Sequence, residues 1–384
     1  MLRYVTAGES HGPALIAIVE GMPAGLKLDV DDLNKELARR QLGFGRGGRM
    51  KIEKDKADIL SGVRFGITLG SPIALKIDNR DWENWQVKMS AGEVSEEIEP
   101  VTQPRPGHAD LSGILKTGQK DIRNILERSS ARETAARVAA GAVAKALLRE
   151  FDIQIISHVT SIGEVKANLQ KLPTPEDLAI IDESPARCFD PEATKKMVEL
   201  IEQTKKDRDT VGGVFEVLAY GCPPGLGGYA FWEDKLDGNL ARALMAIQAI
   251  KGVEIGEGFE AAYKPGSQMH DEIFYSKGKG YYRKTNRAGG IEGGMTNGEV
   301  VIARAAMKPI PTLMQPLKTV DIDTKEPVEA IKERSDICAV PAAAVIGEAV
   351  VAFEIARALL NKFGGDAMDD IMAAYGHYLK RVRD

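Results

Sequence analysis

The segment Gly21-Met22-Pro23-Ala24-Gly25-Leu26 recurs 200 positions later as Gly221-Cys222-Pro223-Pro224-Gly225-Leu226. The first copy ends the apolar run 14–19, and glycine and proline at this spacing terminate a strand in a turn. Three further matches follow in the same order, at offsets of 203 to 212: Leu37-Ala38-Arg39 with Leu240-Ala241-Arg242, Glu127-Arg128-Ser129 with Glu333-Arg334-Ser335, and Ala144-Lys145-Ala146-Leu147-Leu148 with Ala356-Arg357-Ala358-Leu359-Leu360. The order of these matches predicts an internal duplication, with pseudo-repeats at about 12–151 and 212–363.

The spacing of the repeats favours two similar halves around one core. A period of about 200 residues is far too long for a solenoid, and no stretch of the sequence has the composition of a long flexible linker. The sequence therefore predicts a single α+β domain with a pseudo-twofold arrangement of its two halves. The elements predicted are strands at 14–19, 58–63 and 72–77, a helix with Asp31 or Asp32 near its cap and Leu33, Leu37 and Ala38 on one face, and helices at 131–149 and 341–362.

The composition excludes several classes of protein. The chain has 384 residues, of which 43% are hydrophobic and 28% charged, so wholesale disorder and fibrous architectures are excluded. Its net charge of −5 argues against a general nucleic-acid binder. No apolar segment has the length of a membrane span, so we expect a soluble, cytoplasmic protein without a membrane partner.

The cysteines point to no metal or disulfide chemistry. Cys188, Cys222 and Cys338 are widely separated and form no Cys-x-x-Cys pair or zinc-ligand spacing. We interpret them as unpaired core residues and expect no metal site.

The first candidate site is a loop dense in arginine and glycine. Arg39, Arg40, Arg46 and Arg49 lie among glycines at 43, 45, 47 and 48. Guanidinium groups match carboxylate or phosphate bidentately, and glycines let backbone amides approach a ligand. The segment 43–48 formally fits a dinucleotide fingerprint, but a helix precedes it where that motif requires a strand, so we reject that interpretation. The loop predicts a binding site for an anionic substrate, and a solvated surface loop is the alternative.

The second candidate site is the start of the alanine-rich helix. Ser130 followed by Glu133 has the spacing of a capping box, with Arg128 and Arg132 on either side. A helix N-terminus favours an anion, and simple capping is the alternative.

Further candidate residues lie in loops. His11 and His108 are in turns rich in glycine and proline, which present side chains to ligands, although a loop histidine can also be incidental. The remaining histidines we interpret as structural or surface residues. The segment Lys308-Pro309-Ile310-Pro311-Thr312 is rigid and carries two groups that can hold a phosphate, but alone it is a weak signal.

Together these segments closely resemble the chorismate synthase family, from one end of the chain to the other. The resemblance rests on these matching segments: 8–12, 43–49, 105–110, 113, 128–134, 251–256, 289–291 and 334–336. It implies a β-α-β sandwich, usually as a homotetramer, and conversion of 5-enolpyruvylshikimate 3-phosphate to chorismate and phosphate by anti-1,4-elimination. It also implies a need for reduced FMN, which can donate an electron transiently and regain it. Since the sequence shows no added reductase domain, we expect an external flavin reductase, with NADPH considered only as a reductant.

The resemblance also implies roles for individual residues. His11 would protonate the departing phosphate, His108 would support the protonation state of the reduced flavin, and Asp336 would assist proton removal through the flavin. Substrate anions would be held by Ser10, Arg40, Arg46, Arg49, Arg105, Arg132 and Arg334. Contacts to FMN would come from Arg40, Arg46, Arg128, Ser129, Ser130, Gln248, Ala249, Gly293, Lys308, Pro309, Ile310, Pro311, Thr312 and Arg334. Gln248-Ala249 departs from the family's frequent Asn-Ala, which puts a side-chain role at 248 in doubt.

Two other classes of function stay open at this stage. A non-catalytic flavin or phosphoanion sensor would have no reason to place two loop histidines beside the arginines. A transferase acting on phosphosugars should carry a second motif for nucleotide phosphates, and the sequence has none.

Overall fold

The computed structural model describes residues 1–47, 53–333 and 335–383. Its strands are β1 (Arg3–Ala7), β2 (Ala14–Glu20), β3 (Ala24–Lys27), β4 (Ala57–Ile59), β5 (Val63–Arg64), β6 (Ile67–Leu69), β7 (Ile73–Asp78), β8 (Gln154–Ile162), β9 (Val165–Lys166), β10 (Gly213–Tyr220), β11 (Ile250–Ile255), β12 (Ile273–Ser276), β13 (Gly280–Arg283), β14 (Ile291–Glu292), β15 (Met295–Thr296), β16 (Val301–Met307), β17 (Lys318–Val320) and β18 (Pro327–Glu329). Its α-helices are α1 (Val30–Gln41), α2 (Asp110–Thr117), α3 (Arg123–Ser129), α4 (Thr134–Arg149), α5 (Leu178–Glu183), α6 (Pro191–Lys206), α7 (Leu236–Met245), α8 (Gly266–Met269), α9 (Val340–Phe363) and α10 (Met368–Arg383).

Two antiparallel sheets enclose a layer of helices. The first sheet has the strand order β1-β2-β7-β4 and the second has the order β11-β16-β10-β8-β9. Helix α4 packs on β2 and β7 of the first sheet, α9 packs on β8 and β10 of the second, and the two helices pack on each other. The predicted α+β class is therefore confirmed, with the layers arranged as a β-α-β sandwich.

The composition of α4 and α9 explains why they occupy the middle layer. A helix that is apolar on all sides is stable only when it is buried on all sides. Nearly all of the residues of α4 are buried, as are those of α9 from Val340 to Ala356. Small side chains let the two helices approach closely: a Cβ added to Gly141 would lie 2.4 Å from that of Ala349.

The two sheets share one pattern of strand pairing. In the first, β2 lies between β1 and β7, and β4 pairs with β7. In the second, β10 lies between β8 and β16, and β11 pairs with β16. Strands β2 and β10 each lead into one copy of the repeated glycine–proline turn. This correspondence supports the duplication, which stays a prediction, and it would start the second half at β8, ahead of residue 212.

The turns themselves also correspond. The hydroxyl of Thr68 accepts a hydrogen bond from the Leu26 amide at 2.9 Å and donates to the Pro23 carbonyl at 2.6 Å. Thr296 makes the same two bonds in the second half, with the Leu226 amide at 2.8 Å and the Pro223 carbonyl at 2.6 Å.

Several local predictions need correction. Helix α1 is capped by the side chain of Asp29, with Asp31 and Asp32 in its first turn, near the cap as predicted. Leu33 and Leu37 are buried, but Ala38 is exposed and Arg40 is buried. The predicted strand at 58–63 is two strands, since β4 ends at Ile59 and β5 begins at Val63. Residues 131–133 form a 3₁₀ turn ahead of α4.

Two other predictions are confirmed, one about a helix and one about the cysteines. Helix α9 is found where a helix was predicted, and the three cysteines are buried and unpaired. Within residues 1–47, 53–333 and 335–383, no helix is both long and apolar enough to cross a membrane. The same part of the chain contains no cluster of three or more His, Cys, Asp or Glu side chains placed to hold a metal ion.

Candidate active site

A cavity of about 930 Å³ lies where the two halves of the chain meet. Its wall includes Arg40 and Arg132 from the first half, and Gln248 and Asp336 from the second. This volume is near the upper end of the range of roughly 300–1,000 Å³ for small-molecule sites. The predicted site residues that line it are Ser10, His11, Arg40, Arg46, Arg105, His108, Ser129, Ser130, Arg132, Gln248, Ala249, Lys308, Ile310, Pro311, Thr312 and Asp336.

The other predicted residues lie elsewhere. The Arg128 guanidinium donates to the backbone carbonyls of Thr6 at 2.8 Å and Gly8 at 3.1 Å, outside the cavity wall. Gly293, between β14 and β15, and Pro309 also do not line the cavity. Arg49 and Arg334 lie outside the described residues.

His11 is held by a buried carboxylate. Its Nδ1 is 2.9 Å from Oε1 of Glu127, and its backbone amide donates to Oε2 of the same group at 2.8 Å. Burial alone would raise the pKa of Glu127, but the hydrogen bonds from His11 and the charge of Arg123 outweigh it and hold that pKa below its ordinary value. With Nδ1 engaged, Nε2 of His11 is the ring nitrogen left to act on a ligand, and it lies 4.0 Å from Asp81.

His108 has a similar arrangement. Its Nδ1 is 2.5 Å from Oδ1 of the fully buried Asp110, whose Oδ2 accepts from Nε of Arg105 at 2.8 Å. Although burial of Asp110 raises its pKa, the hydrogen bonds from His108 and Arg105 prevail and lower it. Two histidines, each oriented by a buried carboxylate, therefore face one cavity. Such pairs fix the orientation of each ring, which general acid–base catalysis requires.

Arg40 and Arg132 are buried residues of the cavity wall and share one carboxylate. Nη1 of Arg132 is 2.5 Å from Oδ1 of the buried Asp55, and Nη1 of Arg40 is 3.3 Å from Oδ2. Burial and the neighbouring guanidinium groups lower the pKa of Arg40 to about 10, against the attraction of Asp55. Arg40 therefore stays charged near neutral pH. Nη2 of Arg132 makes no hydrogen bond within the described part of the protein.

Asp336 is fixed by the arginine–glycine loop. Its Oδ1 accepts from the Gly47 amide at 2.6 Å, and its Oδ2 is 3.3 Å from Nη1 of Arg46. A side chain at residue 47 would collide with the carbonyl oxygen of Ser335, because a Cβ there would lie 2.8 Å from that oxygen. The glycine is therefore needed for the close approach of these two loops.

The remaining wall carries groups suited to a polar ligand. Nζ of Lys308 donates to the Gly107 carbonyl at 2.8 Å, and the hydroxyl of the buried Thr312 accepts from Arg105 at 3.0 Å. Burial and the nearby Lys251 lower the pKa of Lys308. Ala249 has a φ of +67°, a strained conformation for a residue with a side chain, of the kind that clusters at functional sites.

Gln248 offers an acceptor to a ligand. Its Nε2 donates to Glu133 at 3.3 Å, while its Oε1 is buried and has no hydrogen-bond partner within the described part of the chain. A buried polar atom without a partner is costly, and a ligand N–H would relieve that cost.

The predicted capping box of Ser130 and Glu133 is incomplete. The Ser130 hydroxyl accepts a hydrogen bond from the Arg132 amide, but the Glu133 carboxylate accepts from Thr6 and Arg137.

Several residues of the cavity wall were not predicted from the sequence. Trp85 stacks on His11 with ring centroids 4.0 Å apart and planes 24° apart, and Asp81 and Asn84 line the same wall. Glu333 also lines the cavity and lies against Arg105. The sequence contains one signal that could have pointed to Trp85: the chain has only three tryptophans, and Trp82 and Trp85 are two of them.

The fold and the cavity define an α+β protein whose cavity brings several arginines together with two histidines. The family model described as chorismate synthase matches residues 2–360 of the chain. The chorismate synthase of Desulforudis audaxviator (strain MP104C) is 59% identical over 384 residues, which cover 100% of this chain and 98% of that protein. The chorismate synthase of Geobacter sulfurreducens (strain ATCC 51573 / DSM 12127 / PCA) is 58% identical over 392 residues, with 100% of both chains covered.

A solved structure agrees with these relatives. This structure, described as "Crystal Structure of Chorismate Synthase", is 46% identical in sequence and has a TM-score of 0.80. The match covers 100% of this chain and 98% of the other chain. The chain belongs to the chorismate synthase family, and it is an enzyme of the lyase class.

Proposed function

We propose that the protein converts 5-enolpyruvylshikimate 3-phosphate to chorismate and phosphate by an anti-1,4-elimination in the presence of reduced FMN. Family membership supports the overall conversion. The observation that carries the proposal is the pair of carboxylate-held histidines, His11 and His108, in one arginine-lined cavity. A non-catalytic sensor of anions has no use for that arrangement.

The cationic groups match the charge of the substrate. It carries two carboxylates and a phosphate, and guanidinium groups bind such anions in a bidentate manner. Arg40, Arg46, Arg105 and Arg132 line the cavity, and Ser10 lies beside them. Arg49 and Arg334 are proposed for the same purpose from the resemblance alone.

The histidines and Asp336 supply the acid–base groups. The reaction breaks one C–O bond to phosphate and one ring C–H bond, and it forms one C=C bond. His11 donates a proton to the departing phosphate through Nε2, since Nδ1 is engaged by Glu127. His108 supports the protonation state at the flavin, and Asp336 takes part in removal of the ring proton.

The residues present fit a flavin. The unpaired Oε1 of Gln248 can accept from a ring N–H, and the hydroxyls of Ser129, Ser130 and Thr312, with Lys308, offer partners for phosphate and ribityl oxygens. When bound, reduced FMN supplies a reversible electron donation that the side chains themselves cannot provide. Ile310 and Pro311 lie in the same wall, and Arg128, Gly293 and Pro309 are proposed as contacts from the resemblance alone.

One assay tests the proposal against its alternatives. Purified protein is mixed anaerobically with 5-enolpyruvylshikimate 3-phosphate and FMN, either photoreduced or oxidised, and phosphate and chorismate are measured. We expect equimolar products with reduced FMN and none with the oxidised form. Binding of both ligands without turnover indicates a sensor, and consumption only with a second phosphosugar indicates a transferase.

We also propose a homotetramer in the cytoplasm, supplied by an external flavin reductase with NADPH only as a reductant. Three aromatic side chains within four residues are each at least 66% exposed: Tyr229, Phe231 and Trp232. An exposed apolar patch of this kind supports burial of the segment in an assembly. Light scattering on the purified protein measures the oligomeric state, and flavin reduction by NADPH with and without an added reductase tests the source of electrons.

A further inference from the structure

Glu333 is a carboxylate in the wall of the cavity with no role in the function proposed above. Its Oε2 lies 3.4 Å from Nη1 of Arg105, and its Oε1 lies 3.8 Å from Nη2 of Arg123. The two guanidinium groups come from different parts of the chain, the loop before α2 and the first turn of α3. Glu333 therefore bridges the loop before α2 and helix α3.

Each of these arginines also holds the carboxylate partner of one histidine. Nη1 of Arg123 donates to Oε1 of Glu127 at 3.0 Å, and this oxygen is 2.9 Å from Nδ1 of His11. On the other side, Nε of Arg105 donates to Asp110 at 2.8 Å, and Asp110 is 2.5 Å from Nδ1 of His108. Charges of alternating sign thus run without interruption from one histidine to the other, with Glu333 in the middle.

We propose that Glu333 is a positioning residue that couples His11 to His108 through the flanking Arg123 and Arg105, so that one carboxylate governs the protonation of both histidines. The consequence for catalysis rests on the proposed function, whereas the coupling itself is a property of the protein alone. It means that loss of the Glu333 charge changes both histidines in the same direction.

The sign of the coupling follows from the charges. With Glu333 ionised, Arg123 and Arg105 are partly neutralised, and less positive charge faces the two histidines. Loss of that carboxylate charge leaves both guanidinium groups uncompensated, which disfavours a proton on either ring. The lowered pKa values of Glu127 and Asp110 are consistent with this chain of charges.

The other groups that face the histidines do not link them. Nε2 of His11 lies 4.0 Å from Asp81, and its ring stacks on Trp85. The Lys308 ammonium donates a hydrogen bond to the carbonyl of Gly107, the residue that precedes His108 in the chain. Each of these groups acts on one histidine alone, so a change at Glu333 that shifts both is specific to the chain of charges described above.

The test measures each histidine in the protein without flavin or substrate. The intact protein reacts with diethyl pyrocarbonate, which attacks neutral imidazole, over a range of pH values, and peptide mass spectrometry gives the modification midpoint of every histidine. The exposed His270 and His377 serve as internal controls. Glu333→Gln is compared with Glu329→Gln, which removes the same charge four residues away from an exposed carboxylate that pairs with Lys332.

We expect Glu333→Gln to move the midpoints of His11 and His108 together to lower pH, by roughly half a pH unit each. This is the size of effect expected for loss of one charge that an arginine and a carboxylate separate from each ring, in a medium of intermediate dielectric. Glu329→Gln should leave both unchanged. A shift at only one of the two histidines, or at neither, in Glu333→Gln protein with normal thermal unfolding overturns the proposal.

A second variant decides the matter if Glu333→Gln does not fold. Arg123→Met removes the cation beside Glu127, so the midpoint of His11 should rise by a similar amount. The midpoint of His108 should also rise, by a smaller amount. A change confined to His11 overturns the coupling. Since none of these measurements uses substrate, failure of the proposed function would appear separately, as absent turnover in protein whose histidines are still coupled.

Discussion

Asp336 is the carboxylate whose role a single substitution can test most directly. It is held by the Gly47 amide and by Arg46, and Asp336→Asn keeps its shape while removing the base. If the carboxylate takes part in proton removal, we expect kcat to fall by about 10²-fold or more, the usual range for a lost acid–base group. Steady-state kinetics with reduced FMN, together with calorimetry of flavin and substrate binding, provide the measurement.

The same experiment separates catalysis from structure at this position. Asparagine retains one acceptor for the Gly47 amide, so the loop contact and ligand binding should be largely preserved. Near-normal kcat accompanied by weaker binding or a lower melting temperature would instead assign Asp336 to the structure of the loop.

Asp110 provides a prediction about pH. Its pKa in the folded protein is lowered by hydrogen bonds from His108 and Arg105, so its stabilising contribution is complete above the unfolded value of about 4 and declines as the pH falls below it. We expect Asp110→Asn to reduce the free energy of unfolding by about 2–4 kcal/mol at pH 7, because it leaves Arg105 without its buried partner. The deficit should shrink below about pH 4.

Urea unfolding at pH 7 and at pH 3 measures this difference. Asp58→Asn is the control, since Asp58 is exposed and lies 3.9 Å from Lys76, and it should change little at either pH. A deficit of equal size at both pH values would show that the charge of Asp110 is not what stabilises the fold.

At the scale of residues, the sequence identified groups but not their partners. His11 and His108 are visible because they lie in turns rich in glycine and proline. The carboxylate that holds His11 is 116 positions away, at Glu127, and no local pattern reports such a distance. Arg128 and Arg132 look equivalent in sequence, yet the break between α3 and α4 sends Arg132 to Asp55 and Arg128 to β1.

Among the elements, the contact between α4 and α9 is the most demanding. A Cβ at Gly141 would lie 2.4–2.6 Å from atoms of Ala349, including its backbone, which cannot move aside independently of the helix. We expect Gly141→Ala to destabilise the protein by about 1–3 kcal/mol, since overpacking outweighs the better helix propensity of alanine.

Gly376→Ala in α10 is the matched control for this substitution. Within the described residues, no atom outside the neighbouring backbone of α10 lies within 4 Å of the Cβ that it would gain, so helix propensity should dominate and stability should rise by up to about 1 kcal/mol. Denaturant unfolding of both variants compares the two effects. A stabilised Gly141→Ala protein would mean that the helices are less closely packed than the structure shows.

The elements were predicted best where burial is uniform and worst at their ends. Helix α9 is largely apolar, so its extent was clear from composition. The start of α1 was predicted near Asp31 and Asp32, which lie in its first turn, but the capping residue itself, Asp29, was not identified. Asp29, Asp31 and Asp32 all suit an N-terminus, and only the backbone conformation selects among them. The strand at 58–63 was broken by the turn at Gly62, whose φ is +81°.

For the whole molecule, four matching segments predict two halves around one core, and this duplication stays a prediction. The arginine–glycine loop after α1 and the connection through Gln248 and Ala249 both contribute to the wall of the cavity. The sequence could not show that these two segments meet, because they lie far apart in the chain and no local pattern reports such a contact.

If the halves are true counterparts, equivalent residues should contribute equally to stability. Thr68 and Thr296 are buried, and each hydroxyl joins the two ends of its own glycine–proline turn through one accepted and one donated hydrogen bond. Valine in place of either threonine keeps the shape but leaves a buried amide and a buried carbonyl unpaired, which costs about 1–3 kcal/mol.

We expect Thr68→Val and Thr296→Val to lower the free energy of unfolding by amounts that agree within about 0.5 kcal/mol, and the double variant to show their sum, since the two sites share no partner. Thr117→Val is the control, because that hydroxyl is exposed and donates to a carbonyl of its own helix, and its effect should be small. Guanidinium unfolding of the three single variants and the double variant gives all four values. Should one turn prove several times more costly than the other, the correspondence in hydrogen bonding would not extend to energetics, and the two halves would have diverged in the parts that hold the sandwich together.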